Sequence, residues 1–142
     1  MSFLNWIIRT LDREIKKHRT NNPFEIAKNR NIIIRYFPLG QTLGFYMKNV
    51  RHQVITINSD IEDYLKKFVC AHELGHAILH PNENTPFLSK NTLISKDKIE
   101  TQANFFAVRL LLYDKNLEDY ETKFDVLREN GIPLEMERYI FF

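Results

Sequence analysis

The stretch Ala71-His72-Glu73-Leu74-Gly75-His76 constrains this chain more than any other feature of its sequence. It lies inside a predicted helix and is flanked by apolar Phe68, Val69, Ala77, Ile78 and Leu79. Two histidines four positions apart on a helix stand about 40° apart around its axis, so both imidazoles point to one side. There they can grip one ion at zinc–nitrogen distances of roughly 2.0–2.1 Å. Glu73 is offset around the axis, where its carboxylate can face an attacking water without ligating the ion, as a general base must. Two histidines in a core-like helix also cost free energy unless something satisfies them. A catalytic zinc centre is therefore expected, with His72 and His76 as ligands and Glu73 as base.

Such a centre needs a third protein ligand and one open position. Glu100 is the candidate, on the next predicted helix, in Glu100-Thr101-Gln102-Ala103-Asn104-Phe105-Phe106-Ala107. Asn104 lies four positions on, so its side-chain oxygen can accept a hydrogen bond from the second nitrogen of a ligating histidine and fix that ring. Ala103 and Ala107 are small enough to let the two helices approach. Glu83 and Asp97 are rival ligands, and Glu100 taken alone reads more readily as a surface carboxylate paired with Lys96. His80 extends the histidine face but drifts further round the helix, so it is expected to support His76 or pack at the helix end. Cys70 points roughly opposite to His72 and is expected to be a small buried hydrophobe.

The rest of the chain supplies a setting for these helices. Leu4, Ile7, Ile8, Leu11 and Ile15 step by threes and fours, which predicts an amphipathic helix over residues 3–18. Asn21-Asn22-Pro23 then opens a short helix to about Asn29. Three strands are predicted at residues 31–37, 42–48 and 52–58, joined by turns and forming a small antiparallel sheet. Asn58-Ser59-Asp60 is expected to cap a helix over residues 61–80, which Pro81 ends. Further helices are predicted over residues 96–113 and 117–130, with Gly131 as a C-cap, and Pro133 opens a short last one. Helix, sheet, then helices is an α+β order, and 142 residues suit a single domain spanning 1–142.

Composition narrows the function further. The net charge of +2 and the absence of a basic stripe argue against direct nucleic-acid binding. A single cysteine allows no internal disulfide, which fits a reducing cytoplasm. The apolar patch near the N-terminus is too short and broken for a signal peptide, and no later stretch approaches a membrane span. A soluble, cytoplasmic protein is expected.

Taken together, these residues resemble the ImmA/IrrE family of metallo-endopeptidases. The resemblance rests on the His72 to His80 and Glu100 to Ala107 stretches. It is extended more weakly by Asn22-Pro23-Phe24-Glu25-Ile26-Ala27-Lys28 and Ile55-Thr56-Ile57-Asn58, and covers roughly residues 20–112. It implies a minimal zincin fold of gluzincin type, Glu100 as third zinc ligand, and His80 outside the ligand set. It also implies that the protein substrate is a helix-turn-helix repressor of a prophage or mobile element, cleaved to release its genes. Where family members often end the second helix in Met-Pro, this chain has Leu112-Tyr113. Tyr113 is a weak candidate for a second oxyanion donor, and residues 52–58 are the expected edge strand for the substrate. The alternatives are a toxin of a toxin–antitoxin pair and a non-proteolytic zinc-containing binding module. An intact Glu73 speaks against the second, since a structural zinc site needs no base.

Overall fold

A computed structural model describes residues 4–141. Helix α1 (Asn5–His18) buries Ile7, Leu11 and Ile15 against α2 (Pro23–Asn29) and the later helices. The expected start at Phe3 lies outside the described residues. Asn22 caps α2 as its sequence predicts, its side-chain oxygen accepting from Phe24 N at 2.9 Å. Glu14 accepts two hydrogen bonds from Arg30, at 2.9 and 3.0 Å, which ties α1 to the end of α2.

Four strands follow: β1 (Ile33–Phe37), β2 (Thr42–Lys48), β3 (Gln53–Asn58) and, much later, β4 (Leu88–Ser89). Their order is β1-β3-β2-β4. The β2–β3 and β2–β4 pairs are antiparallel, but β1 runs parallel to β3, so the sheet is mixed where an antiparallel one was expected. The cause is the link between β1 and β2, which passes over the end of β3 and leaves a slot that β3 fills. Asn58 secures this crossing by donating to Gly40 O at 3.1 Å and Thr42 O at 2.9 Å. β3 is therefore a central strand, which corrects its expected place at the edge. β4 pairs only with Thr42 and Gly44, so residues 45–48 of β2 have no second neighbouring strand among the described residues.

Helix α3 (Asp63–Leu79) lies against β2 and β3. Residues 58–60 do not cap it. Asn58 Oδ1 accepts from Asp60 N in a turn, and Glu62 stands at the N-cap without a side-chain bond. Gly44 marks the tightest approach of sheet and helix. A Cβ there would lie 2.5 Å from Val69 Cγ1 and 2.8 Å from Thr56 O. The helix can yield little and the strand carbonyl less, so Gly44→Ala is expected to destabilise the protein by about 3 kcal/mol, the upper end of overpacking costs. Chemical denaturation measures this, and an unchanged midpoint would show that the helix sits less tightly on the sheet.

Helix α4 (Lys98–Leu111) packs along α3 in the most extensive helix pair of the molecule. The helix expected over 117–130 is broken in two. A 3-10 turn (Leu117–Asp119) precedes α5 (Lys123–Glu129), because Thr122 starts the second piece by accepting from Asp125 N at 3.1 Å. Gly131 adopts φ +67°, as a helix C-terminal glycine does. A last 3-10 stretch (Leu134–Tyr139) returns to α4. Among the described residues, no helix is long and apolar enough to cross a membrane.

Candidate metal centre

Helices α3 and α4 bring together the residues that their sequences single out. A Cβ on Gly75 would meet Phe106 side-chain atoms at 3.2 and 3.3 Å and Ala103 Cα at 3.4 Å, so glycine and alanine here set how closely the helices lie. One turn away, His72 Nε2 is 3.2 Å from Glu100 Oε1, and His76 Nε2 is 2.9 Å from Glu100 Oε2. One carboxylate thus faces both rings. His72, Glu73, His76, Glu100 and Asn104 all have 0% exposure. The rivals Glu83 and Asp97 are exposed, and the backbone N of Glu83 bonds to His80 O at 3.2 Å. Tyr113 is 43% exposed and lines a surface groove with Ile8, Asp12 and Arg109. It lies thirteen residues beyond Glu100, roughly 20 Å along a helical path, which removes it as an oxyanion donor.

The orientation of His72 follows from Asn104, whose Oδ1 is 2.8 Å from His72 Nδ1. An amide oxygen only accepts, so Nδ1 carries the proton and a neutral ring turns a lone pair toward Glu100 from Nε2. Tyr139, from the last 3-10 stretch, stands behind Asn104 with its hydroxyl 3.4 Å from Asn104 Nδ2. His76 Nδ1 is 3.0 Å from His80 Nδ1, and His80 Nε2 is 2.6 Å from Gln102 Oε1. Sequence reasoning missed Gln102 and Tyr139. Gln102 is about 200° round the helix from Glu100 and so lies off the face that the motif defines.

Lone pairs of two imidazoles aimed at one carboxylate repel unless a cation or proton lies between them. His76 Nε2, Glu100 Oε2 and both Glu73 oxygens are buried without a hydrogen-bond partner. Ligand atoms of His72, Glu73 and His76 lie within 4.8 Å of one another, and Glu100 faces both rings. Buried, unsatisfied nitrogen and carboxylate donors on one centre fit a divalent metal ion.

The electrostatics agree. Burial works against a charged His72, but its bond to Glu100 and the nearby Glu73 outweigh this and raise its pKa. Burial and the neighbouring His72 push His76 down to about 4. Burial would raise Glu100, yet the two histidine rings that face its oxygens outweigh this and take it down to about 2. Glu73 has no such partner; burial pushes it up to about 8. Burial also raises the Cys70 thiol, which stays a buried neutral group as expected.

A test follows for protein stripped with a chelator. The unfolded chain has lost the Glu73 proton well above its ordinary value of 4.5, whereas the folded chain holds it until about pH 8. Stability contributed by this proton is present at low pH and lost as pH rises through the folded value. His76 adds no opposing change above 6.5, its ordinary value, and His72, whose pKa is raised, loses stability in the same direction as Glu73. The stripped protein is thus expected to lose about 2 kcal/mol between pH 6.5 and 8. Glu73→Gln should reduce that slope to the part that His72 contributes, and denaturation at the two pH values decides it. An equal slope in the variant would assign it to another group.

The comparisons with known proteins point the same way. The family model described as the IrrE N-terminal-like domain, Peptidase_M78, matches residues 27–139. Uncharacterized immunity region protein 2 of Bacillus phage phi105 is 45% identical over 131 residues, covering 89% of this chain and 83% of that protein. Metallopeptidase ImmA of Bacillus subtilis (strain 168) is 40% identical over 107 residues, 74% of this chain and 62% of that one. Radiation response metalloprotease IrrE of Deinococcus deserti is 31% identical over 104 residues, 66% of this chain but only 34% of its own length. With an H-E-x-x-H helix and a buried donor set that fits a metal, this chain belongs to the ImmA/IrrE family of metallopeptidases.

Proposed function

We propose that this metallopeptidase is a cytoplasmic zinc endopeptidase that cuts a helix-turn-helix repressor and thereby releases the genes of a phage or mobile element. The observation that carries the hydrolytic part is the contrast within one buried cluster. His72, His76 and Glu100 share a centre, while Glu73 keeps an unpaired carboxylate at its side. In this reading His72, His76 and Glu100 hold the zinc, and Asn104 and His80 orient the two rings. A bound zinc ion supplies Lewis acidity, which activates water and polarises the scissile carbonyl. Glu73 takes the proton of the attacking water and delivers it to the leaving amine. Its buried carboxylate is tied to no other protein group, which leaves it free to take that proton and pass it on.

The substrate class is supported by the phage immunity-region name of the relative with 45% identity. A substrate strand can add to β2 at residues 45–48, where the sheet has no further strand among the described residues and where residues 81–87 form the other wall of a groove. Main-chain pairing of that kind gives little affinity alone, so selectivity has to come from the folded partner around the cut. The test incubates the zinc-loaded enzyme with the repressor encoded beside it and with casein. A single cut in the repressor and intact casein are expected. Rapid digestion of casein without a discrete cut in the repressor would make this a general protease.

A further inference from the structure

We propose that Gln102 is a positioning residue for the metal centre, setting through His80 which nitrogen of His76 carries its proton. This rests on the reading of His76 as a ligand. The geometry is a chain of three side chains. Gln102 Oε1 is 2.6 Å from His80 Nε2, and His80 Nδ1 is 3.0 Å from His76 Nδ1. His80 has left the α3 helix and caps its end, with its backbone N bonded to His76 O at 2.8 Å. That departure turns its ring to meet both partners.

Only one proton can lie between the two Nδ1 atoms, so the chain has two states. In the first, Gln102 oxygen accepts from His80 Nε2. A neutral imidazole has one N–H, so His80 Nδ1 is then an acceptor and His76 Nδ1 must donate to it. The proton of His76 is committed there, and its Nε2 lone pair faces Glu100 and the ion. In the second, His80 Nδ1 donates to His76 Nδ1. His76 then carries its proton on Nε2, pointing at the place of the metal, and cannot ligate. An accepting oxygen opposite His80 Nε2 selects the first state. His72 obtains the same outcome from Asn104 directly; His76 obtains it through two residues. The device is asymmetric, because Asn104 is fully buried while Gln102 is only partly so.

Gln102→Leu removes the acceptor at similar size, and Gln102→Glu keeps an acceptor. The measurements are zinc affinity by chelator competition at pH 8 and long-range proton–nitrogen NMR of the histidine rings. The wild type should show His76 protonated on Nδ1 and His80 on Nε2. Gln102→Leu should lower zinc affinity by about 10–100-fold, the usual range for lost outer partners, and should give His80 mixed tautomers. Gln102→Glu should stay within a few-fold of wild type with the wild-type tautomers. Should leucine disturb the helix pair, Gln102→Ala makes the same deletion with a strong helix former. Unchanged affinity and tautomers in the deletion variants would overturn the proposal, as would an equal loss in Gln102→Glu. Failure of the wild type itself to bind zinc would instead overturn the reading of the centre.

Discussion

Glu73→Gln is expected to leave the fold and the metal in place and to remove hydrolysis. The side chains match in shape, so α3 and its packing on α4 need not move. Glu73 sits at 0% exposure with both oxygens unpartnered, so the substitution breaks no hydrogen bond within the protein. What it removes is the capacity to take a proton from water and return it to the amine. Loss of a positioned general base typically costs about 10²–10⁴-fold, and here the same group serves both transfers, which favours the upper end. Turnover of the repressor, with metal content measured on the same sample, tests this. Near-normal cleavage by a folded, metal-loaded variant would sink Glu73 as the base.

The two expectations for this variant are linked. A carboxyl desolvated enough to be pushed up to about 8 weakens the stripped protein at neutral pH. The same burial leaves its carboxylate tied to no other protein group and free to take a proton from water. The active site is thus a place where the fold forgoes stability for chemistry, and Glu73→Gln should gain the one while losing the other.

Much of this centre could be read from spacing, because helical geometry ties residues four apart to one face. The 71–76 stretch, its helix and the place of Asn104 on the face of Glu100 follow from that rule, whereas the choice of Glu100 over Glu83 and Asp97 comes from the resemblance. The sheet resisted it. Alternation within a strand says which side chains share a face but not which strand lies next to it, so the insertion of β3 between β1 and β2 was invisible. That insertion depends on Asn58, whose side chain holds the β1–β2 crossing and is therefore unavailable as the expected helix cap. Gln102 was hidden for a different reason. Its partner His80 lies past the end of α3, where helical angles no longer predict direction. That Glu83 and Asp97 are exposed while Glu100 is buried could be known only from the structure.

Glu100→Ala is expected to empty the centre. The carboxylate is the one negative group shared by both rings, at 3.2 Å from His72 Nε2 and 2.9 Å from His76 Nε2. The two rings outweigh its burial and hold its pKa well below the usual carboxylate value, at about 2. Without it, two neutral imidazoles remain, and the divalent ion has no anionic ligand to offset its own desolvation. Loss of a ligand should exceed the roughly 10–100-fold cost of losing an outer partner, so zinc affinity should fall by more than about 100-fold. The exposed carboxylates give the control: Glu83→Ala and Asp97→Ala should leave affinity unchanged. Glu100→Gln separates charge from shape, since it fills the same space with a weaker, neutral ligand and should fall between wild type and alanine. Full zinc occupancy at undiminished affinity in Glu100→Ala would remove Glu100 from the ligand set. Loss in Asp97→Ala or Glu83→Ala instead would pass its role to a residue that the closed arrangement leaves outside.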